Sequence, residues 1–317
     1  MTTTDQTFLV TGGAGFIGSH LTEALVGLGT KVRVYDNFRS GRLDNLKKVK
    51  SKIEILKDDI LDFPALTAAM AGVMTVFHLA AASNVPESLK DPALYLEIDG
   101  LGTLRVLEAA TKAKVKRVVF ASTSAVYGDG PCPQAEPQSL QADNPYAAAK
   151  LFGENLGLFF QRTRGLEVIA LRLFNVYGPR QNLTEGEASV IGLFVKAALE
   201  RQRPIIYGDG EQTRDFVEVR DAVRAFVLSG RTPYPTSGIF NVGTGQAISI
   251  NRLYQLLKEL VPNLAKPAFE PARPGDALQS TANMAKTAKY LKFSAHIDLR
   301  EGLAYLLEKQ AVNPKGS

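Results

Sequence analysis

The chain has 317 residues, 45% of them hydrophobic, which is enough for a substantial core and two domains or subdomains. Its net charge of +5 is scattered among 32 acidic residues without a long basic run, which argues against a nucleic-acid partner and suits a small anionic ligand. The single cysteine, Cys132, excludes an intramolecular disulfide framework, and no window of about 18 residues is uniformly apolar, so a cytoplasmic protein off the membrane is expected.

The opening MTTTDQTFLV lacks the basic start and long apolar core of a secretory signal. The first predicted strand is TFLVTG (7–12), which runs into the turn VTGGAGFIGSH and a predicted helix at 16–28. Gly12, Gly15 and Gly18 form a GxxGxxG pattern. Gly12 suits the tight turn, Gly15 lets backbone approach a pyrophosphate, and Gly18 lets the helix pack closely, its amides aimed at the phosphates. A second strand, KVRVYD (31–36), ends at Asp36. A carboxylate there can accept hydrogen bonds from an adenosine ribose and repel a 2′-phosphate, which favours NAD over NADP. Arg39 and Arg42 weaken that preference, and a turn cap is the other reading of Asp36.

The third strand, KIEILK (52–57), leads to KDDILD and a predicted helix at 62–70. Asp59 either pairs with an adenine amine, with Ile60 against the ring, or caps that helix. MTVFHLA (74–80) ends in small residues that leave room for a dinucleotide at the sheet edge, and His78 within it reads as a core histidine. Three separated histidines and one cysteine make no metal-ligand cluster. After a predicted helix at 92–113, KRVVFAS (116–122) delivers STSAVYG, residues 122–128, whose three hydroxyls are either turn residues or the polar end of a site. Pro145 then starts a helix at 146–164 that carries Tyr146 and Lys150 one turn apart on one face. A neighbouring ammonium stabilises a phenolate, so such a pair can move a hydroxyl proton beside a nicotinamide. The last regular strand is LEVIALR (166–172). The alternation predicts an α/β, doubly wound parallel sheet of the Rossmann type, and its loss after about residue 176 predicts a smaller, partly discontinuous C-terminal domain.

The glycine turn, Asp36-Asn37, HLAA, STSAVYG, YAAAK, LRLFNVYGPR, RDFVEVRD, NVGTG and RPGD, in that order over about residues 7–310, resemble an extended short-chain dehydrogenase/reductase, and within it the UDP-glucose (UDP-galactose) 4-epimerase family. The resemblance implies an NAD-binding domain over 1–175 and a UDP-sugar domain over 176–317, some of whose segments return to the first. To the cofactor site it adds Phe16, Ile17, Asn37, Phe38, Arg39, Ser40, Leu79, Ala80 and Ala81, alongside Tyr146 and Lys150. It assigns Thr123 to the sugar O4, Tyr146 to the O4 proton and Ser124 to the sugar pocket. Asn175, Val190, Tyr207, Arg214, Arg273 and Asp276 would hold the nucleotide and diphosphate. Ser280 would leave room for an N-acetyl group at C2. It also implies a homodimer paired through helices 92–113 and 146–164.

Related dehydratases carry an Asp-Glu pair where Ser124 and Ala125 stand, and related decarboxylases carry a glutamate at Ala125. Neither chemistry fits here, so the expected reaction is epimerisation at C4 through a 4-keto sugar. A UDP-glucuronate 4-epimerase, a 4-ketoreductase and a non-catalytic NAD-binding sensor are the alternatives. The chain departs from the family pattern at Ser83, at Asn283 and at Asp99, where asparagine is common.

Overall fold

All six predicted β-branched runs become strands in the computed structural model, which describes residues 6–183, 188–232, 237–272 and 277–312. In chain order these are β1 (Thr7–Thr11), α1 (Phe16–Gly27), β2 (Lys31–Tyr35), β3 (Ile53–Leu56), α2 (Phe63–Ala69) and β4 (Val73–His78). Then come α3 (Val85–Lys90), α4 (Pro92–Tyr95), a π-helical turn (Leu96–Leu101), α5 (Gly102–Lys112), β5 (Arg117–Thr123), α6 (Pro145–Arg164) and β6 (Glu167–Leu173). The predicted helix over 92–113 is thus three pieces, because a π turn inserts an extra residue into the ladder.

The second half contributes β7 (Asn175–Tyr177), α7 (Val190–Glu200), β8 (Ile205–Tyr207), β9 (Thr213–Arg214), β10 (Phe216–Glu218) and α8 (Val219–Arg231). It continues with β11 (Gly238–Val242), β12 (Ile248–Ser249), α9 (Ile250–Leu260), β13 (Ala268–Glu270), α10 (Ala285–Leu291) and α11 (Leu299–Val312).

Seven strands form one sheet in the order β3-β2-β1-β4-β5-β6-β11, with every pair parallel. The order reverses between β1 and β4, and a ligand crevice opens outside the carboxyl ends at such a switch point. Alternation along β1 shows why its run is continuously apolar. Phe8 and Val10 enter a core with Phe77, Val119 and Phe226, while Leu9 faces the opposite core with Val106, Val118 and Phe160. Both faces are covered, so no polar alternation is needed. β11 pairs with β6 and α8 packs against α1, so these later segments rejoin the main sheet.

A third core, built from α7, α9 and α11 around Phe194, Leu253, Leu257 and Leu303, supports the short strand pairs β7–β10, β8–β13 and β9–β12. Among the described residues no helix is long and apolar enough to cross a membrane.

Candidate active site

The glycine turn is dictated by sterics. Gly12 has φ +68°, and a Cβ there would lie 2.7 Å from the Ala80 backbone nitrogen. At Gly18 a Cβ would come within 2.1 Å of the Gly12 carbonyl oxygen, so only glycine lets α1 sit so close to the turn. Gly15 is the N-cap of α1 and no side chain caps that helix, which leaves its first amides and the positive end of its dipole for an anion. This is a cradle that side chains would fill and a pyrophosphate can enter.

From this cradle a cleft of about 1110 Å³ runs between the ends of β2 and β3 on one side and β5 and α6 on the other. Its lining runs from the glycine turn past Asp36 and Asp59 to Tyr146 and Lys150, a course that suits an extended ligand. It is lined by every residue assigned to the cofactor from sequence except Phe38. Phe38 adopts φ +60° and packs with Ala14, Val34 and Leu46, away from the cleft. Its backbone amide donates to Asp36 Oδ1 at 2.8 Å, and the Ala14 amide donates to Asp36 Oδ2 at 2.8 Å. Asp36 therefore ties β2 to the glycine turn while still lining the cleft; a carboxylate has lone pairs left for ribose hydroxyls. Asp59 is equally double: Oδ1 accepts from the Leu61 amide at 2.9 Å and Oδ2 from Asn37 Nδ2 at 2.7 Å.

At the other end, the three hydroxyls of the 122–124 stretch separate into distinct environments. Ser122 is buried and donates to Glu154 Oε1 at 2.6 Å. Glu154 in turn takes both arms of Arg172, at 2.9 and 2.7 Å, in a fully buried bidentate pair. The Arg172 guanidinium lies 4.7 Å from the ring of Tyr127, whose hydroxyl donates to Asn241 Oδ1 at 2.7 Å. This network fixes β5, β6, α6 and β11 around the site. Thr123 Oγ1 accepts the Ala125 amide at 3.1 Å, opening a 3-10 turn over Ser124–Tyr127 and leaving the threonine proton free to donate.

α6 is set by its ends. Asn144 accepts the Ala147 amide at 2.9 Å, Pro145 fixes the first turn, and Gly165 closes the helix with φ +69°. Tyr146 and Lys150 both line the cleft from its first turns. The Lys150 ammonium is buried, 5.1 Å from the Phe120 ring centroid and 5.9 Å from that of Tyr146. Burial lowers the Lys150 pKa and the Asp99 charge opposes that. Burial raises the Tyr146 pKa, Asp99 raises it further, and a hydrogen bond from Thr123 pulls it down.

His78 is a core histidine. Thr11 Oγ1 lies 2.8 Å from Nδ1 and Thr103 Oγ1 3.1 Å from Nε2, the ring stacks on Phe120 at 5.5 Å, and burial pushes its pKa down to about 3. Tyr95 carries no signal in the sequence, yet its buried ring stands edge-on to Tyr146 at 6.3 Å. Tyr35, Asp58, Ser83, Ile98, Ala121 and Leu173 also line the cleft.

The residues assigned to the sugar nucleotide are spread over the smaller lobe. Asn175 opens β7, Val190 is the first residue of α7, Tyr207 ends β8 and Arg214 lies on β9. Arg214 Nη1 donates to the carbonyls of Thr213 and Ala277 at 2.8 and 2.7 Å. Ser280 is 8% exposed on a segment held beside the hydroxyl turn: Gln134 donates its amide to the Thr281 carbonyl at 2.7 Å, and Ala282 packs with Val126 and Tyr127. Arg273 and Asp276 lie outside the described residues. Among the described residues no group of three or more His, Cys, Asp or Glu is arranged to hold a metal.

This arrangement has known counterparts. Residues 8–243 match the NAD dependent epimerase/dehydratase family. A UDP-glucose 4-epimerase of Mycolicibacterium smegmatis is 38% identical over 306 residues, covering 95% of this chain and 97% of its own. The structure of a UDP-N-acetylglucosamine 4-epimerase from Methanobrevibacter ruminantium M1, solved with UDP-N-acetylmuramic acid, is 35% identical and superposes with a TM-score of 0.93 over 97% of this chain and 99% of that one. A Thermus thermophilus UDP-glucose 4-epimerase in complex with NAD is 31% identical, with a TM-score of 0.87 over 97% and 100% of the two chains. A cradle for pyrophosphate, an acid at the end of β2 and a Tyr–Lys pair at the far end of one cleft are what this cofactor requires, and the chain belongs to the NAD-dependent epimerase/dehydratase family of extended short-chain dehydrogenase/reductase enzymes.

Proposed function

We propose that this enzyme inverts C4 of a UDP-hexose, interconverting UDP-glucose and UDP-galactose and also accepting UDP-GlcNAc and UDP-GalNAc. The observation that carries the reading is that Tyr146 and Lys150 line the cleft together while the turn that follows β5 carries Ser124 and Ala125, with no carboxylate for elimination or decarboxylation. Bound NAD supplies the hydride acceptor and donor for the sugar C4. Gly12, Gly15 and the first amides of α1 would hold its pyrophosphate, Asp36 and Asp59 its adenosine, and Lys150 its nicotinamide end.

The chain's own residues handle the proton. Thr123 donates a hydrogen bond to the phenolate form of Tyr146 or to the sugar O4, and an ammonium on Lys150, one turn along the same helix, lowers the cost of that phenolate. Tyr146 takes the O4 proton as the alcohol becomes a ketone, then returns it from the same side after the 4-keto sugar has turned over. General acid–base groups of this kind contribute about 10²–10⁴-fold to rate. Lys150 is buried while Tyr146 is half-buried on the cleft wall, within reach of a ligand there. The small Ser280 side chain supports access for a C2 N-acetyl group, and the same room keeps a UDP-glucuronate 4-epimerase as the second reading.

Incubating the purified protein with UDP-galactose, without added cofactor, and following C4 by NMR tests this directly. Epimerisation should proceed, and Tyr146→Phe should slow it by about 10²–10⁴-fold. Turnover that consumes stoichiometric NAD(P)H would instead mark a 4-ketoreductase. We also read the chain as a homodimer, from the exposed apolar side chains shared by α6 and the π turn: Leu96, Leu101, Phe152 and Phe159 are 54, 40, 48 and 48% exposed.

A further inference from the structure

Asp99 sits in the π turn, fully buried, on the element that packs against the catalytic helix. Its Oδ1 accepts the Ala82 amide at 2.9 Å, immediately after the cleft-lining Ala80 and Ala81. Its Oδ2 has no hydrogen-bond partner. A buried carboxylate oxygen without a donor is costly unless a positive charge compensates it. Burial raises the Asp99 pKa and the nearby charge of Lys150 lowers it; Lys150 is itself buried, with its ammonium against the faces of Phe120 and Tyr146. Asp99 and Gly100 are the buried residues of this turn, and Phe152 of α6 packs beside Gly100, 3.6 Å from where a Cβ would be.

From this geometry we infer that Asp99 is a positioning residue that sets the proton affinity of the Tyr146–Lys150 pair by placing a counter-charge beneath it. The inference rests on Tyr146 and Lys150 being the proton-transfer pair. An anion there disfavours the phenolate of Tyr146 and favours the ammonium of Lys150, so it holds both groups to higher pH. The directions of the shifts agree: Asp99 raises both Tyr146 and Lys150. Other titratable groups around the turn do not compete. His78, reached through Thr103, is neutral with a pKa of about 3; Tyr95 is pushed up by burial and by its hydrogen bond to Glu87. Asparagine at this position would leave the ammonium field unopposed.

The test compares the wild-type protein, Asp99→Asn and Asp99→Ala, each with its bound NAD. Asparagine keeps the acceptor for the Ala82 amide and removes only the charge. Both limbs of the pH–kcat/KM profile should slide to lower pH by about one unit. The phenolate absorbance of Tyr146, isolated by subtracting the same protein with Tyr146→Phe, should move with the acid limb. A residue that merely braces the fold would change the height of the profile and not its limbs. Should Tyr146→Phe abolish turnover while wild-type and Asp99→Asn titrate alike, the counter-charge is refuted and the proton-transfer pair stands. Turnover that survives Tyr146→Phe would remove the pair and this inference with it.

Discussion

Ser280 is the side chain proposed to set specificity at C2 without touching the chemistry. It is nearly buried, and its segment is pinned on both sides, by Gln134 at Thr281 and by Thr213 at Leu278. On the proposed reading, a large ring at 280 would take the space of a C2 substituent. Ser280→Tyr should abolish turnover of UDP-GlcNAc while leaving UDP-glucose within about 3-fold, since filling a pocket discriminates by steric exclusion rather than by catalysis. Parallel loss of both reactions in a substrate panel would refute the assignment. At this scale the sequence is most legible where sterics leave no choice. Gly12 and Gly18 are readable because a Cβ at either would strike backbone. Asp36 is readable as both ribose acceptor and cap, and the structure gives the cap its partners, Ala14 and Phe38. Phe38 is not readable: its left-handed φ, which turns the ring away from the cleft, has no signature in a bulky residue.

Elements are legible where apolar runs are unbroken, and less so where a polar residue interrupts one or the helical ladder slips. β11 escapes the pattern of strands because Gly238–Val242 opens on a glycine and carries an asparagine inside it. That asparagine is buried by its bonds to Tyr127 and Gln134, a tertiary fact that no local pattern carries. The π turn escapes because the amphipathic pattern of 92–113 runs through it without a break in composition. Its consequence reaches the surface as well as the site. Leu96 and Leu101 project outward beside Phe152 and Phe159 of α6, an apolar face of two neighbouring helices that a second copy can cover. Phe152→Glu combined with Phe159→Glu would place two charges in that face. Light scattering should then report a single-chain mass where the parent protein gives two. A parent protein that is already a monomer would end the proposal.

The pH dependence of stability belongs to the whole molecule, because it sums groups buried in different layers. His78, at the end of β4 in the main sheet, has its pKa lowered by burial from 6.5 to about 3, and the partly buried His20, whose ring bonds the Pro179 carbonyl at 2.9 Å, is lowered to about 4. A base held neutral in the fold but free to protonate when unfolded stabilises the fold fully above pH about 6.5, and that contribution drains away as pH falls towards the folded value. Asp36, Asp99 and Asp215 run the other way: burial raises their pKa values, so their ionisation costs stability as pH rises through the carboxylate range. The two sets oppose each other, so a bare melting curve against pH cannot assign the slope to either. A double difference can. For a histidine with those end points the linkage between pH 7 and pH 5 amounts to about 2 kcal/mol. His78→Asn will lower stability at every pH, since it vacates a stacked, doubly bonded site. Its loss on going from pH 7 to pH 5, measured by denaturant titration, should nevertheless be smaller than the wild-type loss by about 2 kcal/mol. Equal losses in the two proteins would mean that His78 is protonated in the fold. Its bond network would then run with two donors, to Thr11 and Thr103, in place of the donor and acceptor of a neutral ring.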